Sequence, residues 1–247
     1  MRYLILSDMH GNWDAFEAVL RKARRKRFEA VLVLGDLVGY GAAPNQVVEA
    51  VRSLSSRVFT VRGNHDKVVA GIDSGENFNQ AALTAARWTT SRLTATNRRF
   101  VRDLPEGPIQ VEQGIAICHG SPIDEDMYVF SDMDAYEIFS GFDMPVTFFG
   151  HTHIPSLFAL EGRHLGLMAL RGNGGRIVLH PEGRYLLNPG SIGQPRDRDP
   201  RASFMTYDSQ RRIVRWYRVP YPIERAQERI RRAGLPNSLA DRLAVGA

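Results

Sequence analysis

The chain has 247 residues, enough for one α/β unit with a full hydrophobic core. Its composition, 43% hydrophobic and 24% charged, is that of an ordinary globular protein and excludes a disordered or fibrous chain. The formal net charge of +5 fits an anionic substrate, nucleic acid, or simply a basic solvated surface.

The N-terminal segment and the cysteine content predict a cytoplasmic protein. An apolar run begins at Tyr3 and the first candidate ligand, Asp8, follows it closely, so no secretory signal fits ahead of the fold. Cys118 is the only cysteine, which excludes an intrachain disulfide and favours a reducing compartment. No apolar run approaches the ~20 residues that a membrane-spanning helix needs.

Five short apolar runs, rich in β-branched and aromatic residues, predict strands that are buried on both faces. Each run is followed within three residues by Asp, Asn or His. In open α/β sheets, ligands collect beyond the carboxyl ends of the strands, so these polar residues mark a candidate site. The runs are Tyr3–Leu6, Ala30–Leu34, Val58–Val61, Ile115–Cys118 and Val146–Phe149.

Helical patterns separate these strands. Asp14 and Glu17 resemble a capping box at the start of the first helix. Further helices are predicted over Pro44–Leu54, as a pair within residues 77–104, and over Asp132–Ser140. The insert 77–104 lies between the third and fourth ligand blocks, where it would either cover the cleft or only pack beside it.

From Ser156 onward the pattern predicts short strands separated by Gly and Pro. The segment Leu165–Leu170 fits a strand or a partly helical piece. Residues 223–247 predict an Arg-rich amphipathic helical tail that is broken at Gly234–Pro236. No repeat or linker divides the chain, so we expect a single domain over residues 1–247. The predicted strands are Ser156–Leu160, His164–Ala169, Arg176–Val178, Arg184–Leu187, Ala202–Tyr207 and Ile213–Val219.

The residues at the strand ends form a candidate metal-binding set: Asp8, His10, Asp36, Asn64, His119, His151 and His153. Any one of them alone would more naturally be a core histidine or a turn residue, but the set as a whole would not. Mixed nitrogen and oxygen donors suit Mn, Fe, Ni or Zn. A single catalytic zinc needs only three protein ligands and water, whereas this set suffices for two ions if one carboxylate bridges them. Asp36 stands alone in its block and is the natural bridge.

These blocks resemble the calcineurin-like metallophosphoesterase superfamily, whose pattern is D-x-H, G-D, G-N-H-D/E, H and G-H-x-H in that order. Every block is intact, and the resemblance covers residues 1 to about 155. It implies a four-layer α/β fold, a two-sheet β-sandwich flanked by helices with the metals at one edge. It also implies that Asp8, His10, Asp36 and His153 hold one ion, and that Asp36, Asn64, His119 and His151 hold the other.

The resemblance leaves His65 as the candidate catalytic residue. The hypothesis is that hydroxide from a water shared by two ions attacks phosphorus in line with the leaving group. His65 would donate a proton to that leaving group or hydrogen-bond the phosphate, which requires an imidazole of near-neutral pKa. A structural hydrogen bond is the alternative role for His65, and Asp66 is assigned no direct role.

Two further segments resemble the small bacterial and archaeal phosphodiesterase-like branch of the superfamily. Gly35–Gly41 lacks the Asp-Arg pair that phosphoprotein phosphatases carry, and with it a phosphate-binding arginine. Asn188–Ser191 resembles the N-P-G-S segment of that branch and predicts a structural turn. Arg196 and Arg201 are candidate phosphate contacts. Asn12 either caps the first helix or contacts phosphate.

The expected function is hydrolysis of a small-molecule or nucleotide phosphate ester, in the first place a diester. A phosphomonoesterase or phosphoprotein phosphatase uses the same ligands and stays open. A nuclease is favoured by the basic charge, although no single-strand platform of aromatic and arginine residues is evident from the sequence. A non-catalytic scaffold, such as the retromer-coat subunit of this superfamily, departs from the pattern at the catalytic histidine, whereas this chain retains His65.

Overall fold

The computed structural model describes residues 1–247, which form twelve strands and eight helices. The strands are β1 (Arg2–Leu6), β2 (Ala30–Val33), β3 (Arg57–Thr60), β4 (Ile109–Glu112), β5 (Ile115–Ile117), β6 (Val146–Phe148), β7 (Ser156–Glu161), β8 (His164–Ala169), β9 (Gly174–Val178), β10 (Arg184–Asn188), β11 (Ala202–Asp208) and β12 (Ile213–Val219). The helices are α1 (Trp13–Ala23), α2 (Pro44–Arg52), α3 (Asn64–Ala70), α4 (Gln80–Arg92), α5 (Ala95–Arg102), α6 (Asp132–Gly141), α7 (Ile223–Arg232) and α8 (Asn237–Val245).

The strands form two six-stranded mixed sheets. Sheet A has the order β3-β2-β1-β11-β12-β9, and sheet B has the order β4-β5-β6-β10-β7-β8. Within sheet A, β1, β2 and β3 run parallel, and within sheet B, β5, β6 and β10 run parallel. The carboxyl ends of each parallel set therefore meet at one edge of the sheet, where ligand-bearing loops gather.

Three hydrophobic clusters join the layers. The central cluster lies between the two sheets, with Ile5 and Leu32 from sheet A and Phe148 and Leu187 from sheet B fully buried. A larger cluster packs helices against the outer face of sheet A, and a small one packs α6 against the outer face of sheet B. This order of helices, sheet, sheet and helix confirms the four-layer α/β fold expected from the sequence.

The structure corrects some of the predicted elements. Helix α1 is capped by Asn12, whose side-chain oxygen accepts from the N–H of Ala15 at 3.2 Å, so the capping box expected at Asp14 is wrong. Asp14 is buried instead and pairs with Arg229 at 2.9 Å. The strand predicted over His164–Ala169 is confirmed as β8, and the partly helical alternative for its leucine-rich part is excluded. The predicted break in the C-terminal tail is confirmed, and none of the eight helices has the length and apolar character needed to span a bilayer.

Candidate metal centre

The seven selected residues lie together where the parallel strands of both sheets end, and their side chains form two overlapping groups. In each group of acidic and histidine side chains, the potential ligand atoms lie within 4.8 Å of one another. Asp36 belongs to both groups, and Asn64 reaches the second through its side-chain oxygen, 3.2 Å from Nε2 of His119. The first group is Asp8, His10, Asp36 and His153, and the second is Asp36, His119 and His151.

Each of the four histidines has one ring nitrogen bound to a backbone carbonyl. A carbonyl oxygen only accepts, so that nitrogen must carry the proton and the opposite nitrogen faces the site. The donors are Nδ1 of His10 to Val38 (3.2 Å), Nδ1 of His119 to Leu34 (2.7 Å), Nε2 of His151 to Asp126 (3.1 Å) and Nδ1 of His153 to Gln194 (2.6 Å). The backbone thus fixes both the tautomer and the orientation of every ring.

The inward-facing atoms fit a cation. Burial lowers the pKa of both His10 and His153, which favours the neutral rings, and because Nδ1 of each ring donates to a carbonyl, the lone pair of the neutral ring lies on Nε2. These two nitrogens lie 3.0 Å apart, and the buried Oδ1 of Asp8 has no hydrogen-bond donor. Lone pairs and a carboxylate oxygen crowded in this way repel one another until a positive charge lies between them. The donor set therefore fits the metal that its residue types suggest.

Asp36 and His119 are the most strongly interacting pair in the second group. Their side chains approach to 3.4 Å between Oδ2 and Nε2. Burial acts to raise the pKa of Asp36 and to lower that of His119, but their mutual attraction outweighs it. The pKa of Asp36 is therefore held well below its ordinary range, and the pKa of His119 is raised to about 10. This mutual attraction shows that the space between Asp36 and His119 favours positive charge.

The ligand-bearing loops have an unusual backbone. Five of the seven residues have φ between 48° and 65°, the left-handed region that non-glycine residues rarely adopt: Asp8, His10, Asp36, His151 and His153. Such conformations persist only where the surrounding structure holds them, and they cluster at functional sites. Gly63 shows how closely the loops approach, since a Cβ added there would overlap the carboxylate of Asp36.

Two side chains of the Asn188–Ser191 turn hold the ligand loops from behind. The amide nitrogen of Asn188 donates to the carbonyl of Gly150 at 2.6 Å and to the hydroxyl of Thr152 at 3.0 Å. The hydroxyl of Ser191 donates to the backbone carbonyl of Asp8 at 2.8 Å. The turn therefore positions the backbone of the first and last ligand blocks at once.

Asp66 plays a similar supporting part. One carboxylate oxygen accepts from the N–H groups of Leu37 at 3.0 Å and Val38 at 3.3 Å, and the other accepts from Gly63 at 3.0 Å. Burial, together with the charge of Asp36, raises the pKa of Asp66 to about 7. This role cannot be predicted from the sequence, because it depends on the direction of backbone N–H groups in two loops.

His65 lies beside the first group with its ring enclosed by aromatic side chains. Its ring centroid is 4.4 Å from those of both Tyr40 and Phe78, and 4.9 Å from that of His10. Nδ1 is buried without a partner. Burial lowers the pKa of His65 to about 4, so the expected near-neutral pKa is wrong. At pH 7 the ring is neutral and has one N–H to donate.

A cavity of about 220 Å³ opens beside Asp36, Asn64, His65, His151 and His153. Tyr40 and Phe78 line one side, Tyr128 lines another, and Arg196 reaches in from the loop after β10. Nη2 of Arg196 donates to the hydroxyl of Tyr40 at 3.2 Å. The segment between α3 and α4, from Asp73 to Asn79, contributes part of the wall, so the start of the insert lies at the cavity.

The other two candidate substrate contacts lie elsewhere. Besides capping α1, Asn12 donates to the carbonyl of Gly193 at 2.9 Å, and it does not line the cavity. Arg201 is engaged by Asp199 at 2.6 Å and by Asn173 at 2.6 Å, and it too lies outside the cavity walls. Arg196 is therefore the one candidate contact of the three that lines the cavity.

Residues 1–155 match the family described as calcineurin-like phosphoesterase. An uncharacterised protein of Methanocaldococcus jannaschii is 35% identical over 98% of this chain and 97% of its own length. A metallophosphoesterase from Sphaerobacter thermophilus, known from its crystal structure, is 38% identical in sequence. The two structures superpose with a TM-score of 0.87 over 100% of this chain and 99% of that one. A symmetrical bis(5′-nucleosyl)-tetraphosphatase from Psychromonas ingrahamii is 34% identical over only 30% of this chain and 28% of its own. The chain belongs to the calcineurin-like phosphoesterase family.

Proposed function

We propose that the protein is a phosphodiesterase that depends on two divalent ions such as Mn, Fe, Zn or Ni. The observation that carries this proposal is the pair of neutral histidines, His10 and His153, whose Nε2 atoms face each other at 3.0 Å beside the undonated oxygen of Asp8. Three negative or lone-pair-bearing atoms in a buried space are unfavourable without a cation. Asp36, which belongs to both ligand groups, allows a second ion beside the first.

The two groups of side chains divide the proposed ligands between the two ions. Asp8, His10, Asp36 and His153 would hold one ion, and Asp36, Asn64, His119 and His151 would hold the other. Divalent ions bound there would polarise the phosphoryl group, offset its charge and lower the pKa of water. The backbone carbonyls behind the histidines keep their rings fixed, so the site needs little rearrangement when it is filled.

Two further side chains of the cavity act on the ester itself. The neutral ring of His65 donates a hydrogen bond to the leaving-group oxygen and stabilises the charge that develops there. The guanidinium of Arg196, which donates to the hydroxyl of Tyr40, binds a phosphate oxygen that points away from the metal ligands. Tyr40 and Phe78 pack around His65 and limit the access of bulk water.

The preference for a diester is supported by the loop after β2. This loop has Gly39-Tyr40-Gly41 where phosphoprotein phosphatases have a phosphate-binding arginine, so the second negative charge of a monoester would find fewer cationic partners. Arg196 is the one arginine that lines the cavity. A phosphomonoesterase remains the second candidate, since the same ligands serve both reactions.

The test compares hydrolysis of bis-p-nitrophenyl phosphate and p-nitrophenyl phosphate by protein that is stripped of metal and then given Mn²⁺. We expect metal-dependent turnover that favours the diester and is lost in Asp36→Asn. Asp241→Asn, which changes an exposed carboxylate on α8, serves as the matched control and keeps full activity. Elemental analysis counts the bound ions, and a protein that binds no metal would refute the proposal.

A second variant tests the role of His65. His65→Ala is expected to retain its ions and to lose turnover by about 10²- to 10³-fold, the range for removing a hydrogen-bond donor that stabilises charge in the transition state. His164→Ala, which removes an exposed histidine on β8, is the matched control. If His65→Ala hydrolyses the diester at the wild-type rate, His65 has only a structural role.

A further inference from the structure

Two exposed aromatic rings extend the site towards solvent. Tyr128 is 44% exposed and Phe130 is 53% exposed, and their rings stack with centroids 5.4 Å apart and planes 9° from parallel. The centroid of the Tyr128 ring lies 3.8 Å from that of His151. We call Tyr128 and Phe130 the aromatic ledge. It runs without interruption from a residue of the second ligand group to the protein surface.

The loop that carries the ledge is firmly held. Nε and Nη2 of Arg62 each donate to the carboxylate of Glu125 at 3.0 Å, a two-pronged ion pair. Lys67 donates to Glu125 at 2.9 Å and to Asp126 at 2.6 Å. The carbonyl of Asp126 in turn holds His151, so the same loop positions both the ledge and a ligand. A rigid surface binds with little loss of conformational entropy.

We propose that the aromatic ledge binds the nucleobase of the substrate, so that the phosphate ester is a small nucleotide. This rests on the proposed phosphodiesterase activity of the same site. A nucleobase has the flat π-face that stacks on Tyr or Phe, whatever the base. With its phosphate beside His151 and Arg196 in the cavity, the nucleotide would extend past Tyr128, which lines the cavity, and its base would stack on the exposed ring of Phe130.

The charges near the ledge favour a mononucleotide or dinucleotide over nucleic acid. Acidic residues precede and follow the ledge along the chain. The nearby Arg62 and Lys67 are already paired with Glu125. A polyanion that continued past the ledge would meet repulsion rather than a basic track. The dense basic run Arg21–Arg27 lies at the end of α1, where it lines a different cavity that shares no residue with the site. The acidic residues without an ion pair include Asp124, Asp132 and Glu137.

Helix α6 continues the exposed apolar surface and provides a control. Met133 and Tyr136 are 81% and 66% exposed on the helix that follows Phe130. If this surface were an interface between two copies of the chain, substitutions at Phe130 and at Tyr136 would both weaken association. If the ledge alone binds a base, only Phe130 matters for ligand binding. Tyr128 is a poorer test position, because its ring contacts His151.

The experiment measures binding of AMP and of ribose 5-phosphate, which lacks the base, to the Mn²⁺-loaded protein by calorimetry. Chromatography verifies that the AMP stays intact. We expect AMP to bind about tenfold more tightly, an advantage that Phe130→Ala abolishes, Phe130→Trp retains and Tyr136→Ala leaves unchanged. Equal affinity of the two ligands, or an unchanged ratio in Phe130→Ala, would overturn the proposal. So would sedimentation velocity showing a wild-type dimer that both alanine variants dissociate.

Turnover of methyl p-nitrophenyl phosphate separates this proposal from the one on which it rests. This diester has no base, and we expect the wild-type protein and Tyr136→Ala to hydrolyse it at the same rate in the presence of Mn²⁺. Normal turnover of this ester together with equal binding of AMP and ribose 5-phosphate would refute the ledge alone. Absence of metal binding in the wild-type protein would refute the proposed function itself.

Discussion

At the scale of single residues, the site depends on side chains that do not line the cavity. Asp66, Asn188 and Ser191 all bind backbone groups of the ligand loops. Those loops contain the left-handed residues, which would relax to ordinary conformations without such support. Asp66 makes the most backbone hydrogen bonds of the three, since its carboxylate accepts from the N–H groups of Leu37, Val38 and Gly63.

Asp66→Ala should therefore destabilise the protein although it removes no proposed ligand. Three buried N–H groups lose their acceptor, and we expect the free energy of unfolding to fall by about 3 kcal/mol. Asp66→Asn retains one acceptor oxygen and should lose less. Urea denaturation measures both variants against Asp241→Ala, an exposed carboxylate on α8. A change of less than about 0.5 kcal/mol in Asp66→Ala would contradict this account.

The sequence predicts the ligand set because those residues follow apolar runs at fixed, short spacings. It could not find the aromatic ledge, because Phe130 next to buried Val129 has the same pattern as a core residue. Nor could the sequence show which of Arg196 and Arg201 lines the cavity. Both follow the same turn, and only the fold shows that Asp199 engages Arg201 while Arg196 reaches the cavity.

At the scale of elements, helix α6 connects the ledge to the core. Its buried face packs Ala135, Ile138 and Phe139 against sheet B. Its first turn forms a capping box in which Asp134 accepts from the N–H groups of Ser131 at 2.8 Å and Phe130 at 2.9 Å. The cap therefore stabilises the helix and fixes the backbone of a ledge residue.

Asp134→Ala should lower the free energy of unfolding at pH 7 by about 1 kcal/mol, the usual contribution of such a cap. Burial acts to raise the pKa of Asp134, but the backbone hydrogen bonds outweigh it and lower the pKa. A carboxyl whose pKa falls on folding stabilises the protein fully above its ordinary pKa of ~3.9, and this contribution disappears as the pH falls through the folded value. The difference between wild type and variant should therefore shrink between pH 5 and pH 3 in urea denaturation. A difference in free energy of unfolding that stays constant over this pH range would contradict the proposed role of the Asp134 carboxylate.

The sequence predicts the longer elements well and the shortest ones poorly. The periodic patterns of α2 and α6 are regular enough to define them. Helix α3 was not predicted, because its seven residues begin at Asn64, inside a motif that is otherwise read as the loop after a strand. Strand β4 was also missed, since only one of its four residues, Val111, is buried and the strand lies at a sheet edge.

At the scale of the whole molecule, the two halves of the chain interleave. Strand β1 pairs with β2 on one side and with β11 from the C-terminal half on the other. Strand β6 pairs with β5 and with β10 in the same way. The C-terminal half also supplies Tyr185, Met205 and Tyr207 to the core between the sheets. All seven proposed ligands precede residue 155, but the framework that holds them does not.

A fragment of residues 1–155 should therefore fail to fold, although it contains the matched family region. Without β10 and β11, the strands β6 and β1 would present unpaired edges, which promote aggregation. His153 would also lose the carbonyl of Gln194 that orients its ring.

We expect the full chain to unfold in one transition that coincides by circular dichroism and tryptophan fluorescence, since Trp13, Trp88 and Trp216 sample both halves. The fragment should show no cooperative transition and no stoichiometric metal binding. A fragment that unfolds cooperatively with two ions bound would show that the first half is a folding unit of its own.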